Sequence, residues 1–80
     1  MVVVNPAATW SAGIATTTHE TPLQCHGGHV RVAWGASAPA SVLDGFELSK
    51  GEALVLPAGQ TFYHVASRGG EPTLFYELFQ

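Results

Sequence analysis

The sequence predicts an all-β fold: a small antiparallel sandwich or jelly-roll-like barrel of six to seven short strands, with an extended N-terminal arm. Three observations predict it. Short runs of β-branched and aromatic residues are separated by dense clusters of Gly, Pro and small residues, the punctuation of strands and turns. His29-Val30-Arg31-Val32-Ala33-Trp34 alternates, with Val30, Val32 and Trp34 on one face and Arg31 and Ala33 on the other. No window of 11 residues carries a convincing helical period.

The elements follow in order. Val2 to Val4 is a short β-prone arm stopped by Asn5-Pro6, and Trp10 stands alone in the small-residue segment that runs on to Gly13. Ile14 to His19 suits a half-exposed strand, Pro22 to Cys25 a second short piece of it, and Gly27-Gly28 a turn before the alternating strand. Gly35 to Ser41 is rich in alanine, but Pro39 and the small polar residues make it a loop. Gly45-Phe46-Glu47-Leu48, the turn Ser49-Lys50-Gly51-Glu52 and Ala53-Leu54-Val55-Leu56 read as a hairpin with Phe46 and Leu48 on one side. Pro57-Ala58-Gly59 turns the chain into a strand carrying Phe62, Tyr63 and Val65, as the next strand pair. After a third turn over residues 67–72, Thr73 to Phe79 closes the fold with bulky residues on both faces. Trp34, Phe46 and Phe75 have the periodicity of core residues. Residues 1–13 thus form the arm and 14–80 a single β-domain.

Length and composition say what such a domain needs. A chain of 80 residues buries only about 60% of its unfolded surface, and a core of that size seldom supplies more than roughly 3–5 kcal/mol. Cys25 is the only cysteine, so no disulfide staples it. A metal held by the four histidines, or partners covering apolar surface, are the remaining supports. Composition favours partners: 46% of residues are hydrophobic and 11% charged, against a usual charged fraction of about 25%. Arg31, Lys50 and Arg68 are the only Lys and Arg residues and the formal charge is −3, so no basic patch exists to track a phosphate backbone and no nucleic-acid partner is expected. No apolar run approaches the roughly 20 residues of a membrane span. Residues 1–6 lack the basic start and long apolar stretch of a signal peptide, which leads to the expectation of cytoplasmic synthesis.

Few residues are arranged for chemistry. Cys25-His26-Gly27-Gly28-His29 gathers a thiol and two imidazoles within five residues, but zinc would need two further converging donors, such as His19 or His64, whose placement the order does not fix. The alternative is a polar turn beside a buried thiol, since free cysteine behaves mostly as a small core hydrophobe. There is no Gly-x-Ser-x-Gly elbow or phosphate-binding loop, and Asp44, Glu47, Glu52 and Glu71 fall in or beside turns, where carboxylates solubilise edges. The chain therefore reads as a non-enzyme with no catalytic residue, metal ligand or cofactor assigned. Its interface candidates are Val2, Val3, Val4 and Trp10 in the arm and Phe79 in the closing strand, whose single charge is Glu77, because an edge with so little charge must be covered.

Two families share parts of this pattern. Leu23-Gln24, Val30-Arg31-Val32-Ala33, Ala38-Pro39, the Gly45 to Glu52 segment of the form Gly-x-x-Leu-x-x-Gly-Glu, and a closing strand near Glu77 resemble small β-rich structural proteins of tailed bacteriophages, of the head-decoration or cement type and related fibre and tail modules. That resemblance implies a virion subunit made in the host cytoplasm. It would bind itself, as a trimer or similar oligomer, and a major capsid or other virion protein. Separately, Gly51, Pro57 and Gly59 are spaced as at the start of the second cupin motif. The cupin histidine then falls at Phe62 and the later asparagine at Ala66, with His64 two residues late. Gly13 and His19 have the first motif's spacing, but its second histidine falls at Thr21. This resemblance implies a cupin-like small-molecule or metal-binding barrel as the alternative function, without carrying over that family's metalloenzyme activity.

Overall fold

The protein is described by a computed structural model that covers residues 2–15, 19–41, 43–67 and 72–78. Among these, eight strands and no helix occur: β1 (Val2–Val4), β2 (Ile14–Ala15), β3 (Thr21–Gly27), β4 (His29–Trp34), β5 (Phe46–Ser49), β6 (Ala53–Leu56), β7 (Thr61–Ala66) and β8 (Thr73–Tyr76). They form two four-stranded antiparallel sheets, in the orders β1-β8-β3-β6 (sheet A) and β2-β7-β4-β5 (sheet B). The all-β sandwich expected from the sequence is what forms, with eight strands instead of six to seven. Val2–Val4 is the first of these strands, and it lies along β8 of its own chain.

Every connection except β4 to β5 passes from one sheet to the other. This corrects the hairpin expected over Gly45–Leu56 and the strand pair expected after it. β5 pairs with β4, while β6 pairs with β3 and β7 with β4. The turn at residues 49–52 is tight, with Glu52 N–H donating to Ser49 O at 2.9 Å and Ser49 N–H to Glu52 Oε1 at 2.7 Å. It also hooks onto the opposite sheet: Gly51 N–H donates to Cys25 O at 2.6 Å and Cys25 N–H to Glu52 O at 3.0 Å. Backbone groups left unpaired by the crossing are thereby satisfied.

The corner between β3 and β4 is built differently. A register shift between Cys25 and Gly27 marks a β-bulge, and Gly28 follows at φ 64°. A Cβ at Gly28 would lie 3.0 Å from Pro72 Cα, so both conformation and space demand glycine. Bulges let one strand run bend from sheet to sheet, which is how the polar-looking Cys-His-Gly-Gly-His segment becomes a corner of the sandwich.

Between the sheets the alternating positions form the core: Leu23 and Cys25 of β3, Val30 and Val32 of β4, Leu48, Leu56, Phe62, Leu74 and Tyr76. Phe62 of sheet B meets Tyr76 of sheet A edge-on, with ring centroids 5.2 Å apart and planes at 83°. Trp34 packs against the core as expected, but Phe46 does not complete it. Leu48 is buried while Phe46, at the sandwich end, is 58% exposed and stacks on Trp34 at 5.2 Å.

Candidate functional site

The outer faces of the two sheets differ, and the difference follows from where the chain sends its irregular segments. On sheet B, Tyr63 and Val65 point away from the core yet are buried. Segment 7–13 runs beside β7, with Ala66 N–H donating to Ala7 O at 2.7 Å and Ser11 N–H to His64 O at 2.9 Å. The β4–β5 loop lies on the same side: Tyr63 Oη donates to Gly35 O at 3.4 Å and Arg31 Nη1 to Leu43 O at 3.1 Å. Trp10 ties segment to loop through its indole N–H, 2.9 Å from Ser41 O, and sits 3.2 Å from where a Cβ on Gly45 would be. Arg31 also faces Glu47 at 3.5 Å, and Ser67 Oγ donates to the same carboxylate. The chain thus covers its own sheet B.

Sheet A has no such cover among the described residues. Its cross-strand register lays Val3, Phe75, Gln24 and Ala53 in one row and Pro22 beside Val55 in the next, with Glu77 donating its N–H to Pro22 O at 3.4 Å. These residues point away from the core because their neighbours Val4, Leu74, Leu23, Cys25 and Leu56 point into it. Val3 and Val55 are each 54% exposed, high for valines on a strand. A groove of about 250 Å³ runs along this face, lined by Pro22, Gln24, His26, Ala53, Phe75 and Glu77 among others.

The groove floor is held rigid. His26 stacks on Phe75 with ring centroids 3.7 Å apart and planes within 9°. Its Nε2–H donates to Gln24 Oε1 at 2.8 Å, and Gln24 Nε2 donates to Gly51 O at 3.2 Å. Turn, amide and two rings therefore form one connected surface, so little side-chain entropy remains to be lost when a partner settles on it.

The residues singled out from sequence are placed as follows. Val2, Val3 and Val4 pair with Tyr76, Phe75 and Leu74, so the arm lies on the closing strand. Val4 packs against the core, while Val2 and Val3 are exposed. Trp10 is half-buried under the β4–β5 loop. Phe79 lies outside the described residues. Phe75, read as core, instead belongs to the outer face of sheet A and partners His26. Nothing in the spacing of residues 73–79 separates its two apolar faces, which is why sequence reasoning missed it.

The candidate metal ligands diverge. Cys25 and His26 are adjacent on a strand and so point to opposite faces, Cys25 into the core and His26 outward. His29 lies beyond the corner, its Nδ1 3.2 Å from Ser49 Oγ. His19 is exposed, and His64 faces the interior opposite Val32. Among the described residues no three His, Cys, Asp or Glu groups converge as a metal site. Burial raises the Cys25 thiol pKa above its usual value, and the thiol donates to Gly27 O at 3.3 Å. Burial lowers the His64 pKa below its usual value and leaves Nδ1 without a partner. Thr21 is fully buried with Oγ1 likewise unpaired, and Phe62, at the cupin histidine position, is fully buried in the core. No family model, curated protein or solved structure matches the chain.

Proposed function

We propose that this chain is a structural subunit of a tailed-phage virion, of the capsid decoration or cement type. It self-associates as a trimer or similar closed oligomer and seats the outer face of sheet A against neighbouring protein. One observation carries the reading: the chain covers sheet B with its own segments and leaves on sheet A a pre-organised surface on which exposed Val3 and Val55 and half-buried Phe75 lie beside Gln24 and His26. Exposed apolar surface of this kind, rimmed by polar groups, marks an interaction site.

We further infer that the sandwich is a jelly roll. Support comes from the strand orders 1-8-3-6 and 2-7-4-5 with sheet-switching connections, the pattern of two nested Greek keys. Jelly rolls serve both viral shells and cupins, so the order favours neither reading. The cupin-like alternative is less well supported, because Phe62 and Thr21 stand at two of the motif positions for histidine and are packed in the interior.

Density-gradient fractionation of lysate from producing cells, probed with antibody to this protein, tests the role. The protein is expected in the band of assembled particles and to leave it when Phe75→Ser is introduced. Recovery of the wild-type protein solely among slowly sedimenting proteins, with particles present, overturns the proposal.

A further inference from the structure

The geometry points to a second interface at the open edge of sheet A, where β6 of one copy pairs antiparallel with β6 of another about a two-fold axis at Leu54. The inference rests on the proposed self-association and adds a contact that the outer face does not make. The ladder on β3 shows which groups of β6 stand open. Cys25 turns both its backbone groups toward β6, donating to Glu52 O and accepting from Gly51 N–H, while Pro22 O faces β8 and accepts from Glu77 N–H. Alternation along β3 therefore bonds Leu23 to Leu54 and Thr21 to Leu56, and it leaves the N–H and C=O of Ala53 and Val55 pointing away from the sheet. β6 is the last strand of sheet A, and no described backbone group bonds to that side of it.

The other three edges are less open. β2 is two residues long. β5 carries Glu47, which faces Arg31, and its Ser49 N–H is taken by Glu52 Oε1. In β1 the same alternation bonds Val2 to Tyr76 and Val4 to Leu74, so Val3 alone turns its backbone outward. Ala53-Leu54-Val55-Leu56 has no charge, proline or bulge, the features that keep strand edges apart.

The open groups are complementary to themselves. With Leu54 opposite Leu54 of the second copy, Ala53 stands opposite Val55 and each such pair exchanges both N–H···O=C bonds, so every open group is satisfied. A shift in one direction sets Ala53 against Pro57, which has no N–H; a shift in the other sets Val55 against Gly51, whose N–H is already bonded to Cys25 O. In the Leu54 register Glu52 lies opposite Leu56, so no like charges face each other. A few backbone bonds do not offset the cost of joining two free copies. An oligomer held by the outer face carries one β6 edge per copy, and two such oligomers meet through several edges at once.

Wild-type protein supplies the test. Labelled and unlabelled protein are mixed at several hundred micromolar and examined by isotope-filtered NMR, with sedimentation of the same sample. Edge pairing predicts a close contact between the Leu54 Hα atoms of two copies, whose Cα atoms lie about 4.5 Å apart in such a pair. Amide exchange at Ala53 and Val55 should slow at least about a hundredfold from dilute to concentrated protein, while Leu54 and Leu56 stay protected in both. An oligomer without the Leu54 contact overturns edge pairing and leaves self-association standing; a monomer throughout overturns both. As a second measurement, Leu54→Cys and Ala53→Cys are each combined with Cys25→Ala and oxidised. The Leu54 variant should form linked dimers at least about tenfold faster, because the register sets like positions opposite only at residue 54. Equal rates overturn the inference.

Discussion

Replacing Phe62 with Ala tests whether the two sheets are held together as described. The ring is fully buried and meets Tyr76 of the opposite sheet edge-on at 5.2 Å. An aromatic ring removes at least roughly 150 Å² from water, and at about 25 cal/mol per Å² that is about 4 kcal/mol, within the usual 3–5 kcal/mol for such truncations. A domain of this size has only about 4–12 kcal/mol to lose, so the variant should be marginal or unfolded at 25 °C. Urea unfolding followed by fluorescence, at a concentration low enough that association adds nothing, gives the values. Adding Tyr76→Leu completes a double-mutant cycle, in which the edge-on contact should appear as a coupling of about 0.5–1.5 kcal/mol. A cost for Phe62→Ala under about 1 kcal/mol, or a coupling of zero, would refute the packing across the sheets.

Three further outcomes follow from local features. His64 is buried with a lowered pKa, so the unfolded chain binds its proton more readily. Stability should be unaffected by this group above its unfolded pKa of about 6.5 and fall as pH drops below it, by at most about 1.4 kcal/mol per unit; urea midpoints of wild type and His64→Leu from pH 8 to 5 should diverge below about pH 6.5. Gly45→Ala should destabilise more than Gly51→Ala in thermal melts. Both have φ near 90–100°, but the new Cβ meets Val32 O at 2.9 Å in the first and nothing within 4 Å in the second. Cys25 is fully buried with its thiol pKa raised, so Ellman's reagent should label it at least about tenfold more slowly in native protein than in urea.

What the sequence made legible was whatever has a period. The strand His29–Trp34 coincides with its alternating run, and the turns expected at Gly27-Gly28, at residues 49–52 and at Pro57-Ala58-Gly59 each hold a glycine with positive φ, while most of the turn expected over residues 67–72 lies outside the described residues. Pairing was not legible, because a tight turn such as residues 49–52 looks the same whether its strands stay in one sheet or part to opposite sheets. What decides is the set of bonds from Gly51 and Glu52 to Cys25, distant in sequence. The outer face of sheet A was half legible. The arm valines were expected at an interface, but Phe75 and His26 were assigned to core and polar turn, since a two-residue period cannot tell which face of an apolar strand is inside. The Cys-His-Gly-Gly-His cluster looked compact in sequence, and strand geometry separates its members onto different faces and different sheets.

The central claim is that sheet A's outer face holds this protein to its neighbours, and sedimentation velocity tests it most directly. Wild-type protein from micromolar to several hundred micromolar should shift to one closed oligomer. Phe75→Ser, which alters the exposed row and leaves the core intact, should sediment as a monomer with its thermal unfolding little changed. A wild-type protein that remains an 8.4 kDa monomer across that range, or a Phe75→Ser variant that assembles as well as wild type, contradicts the account.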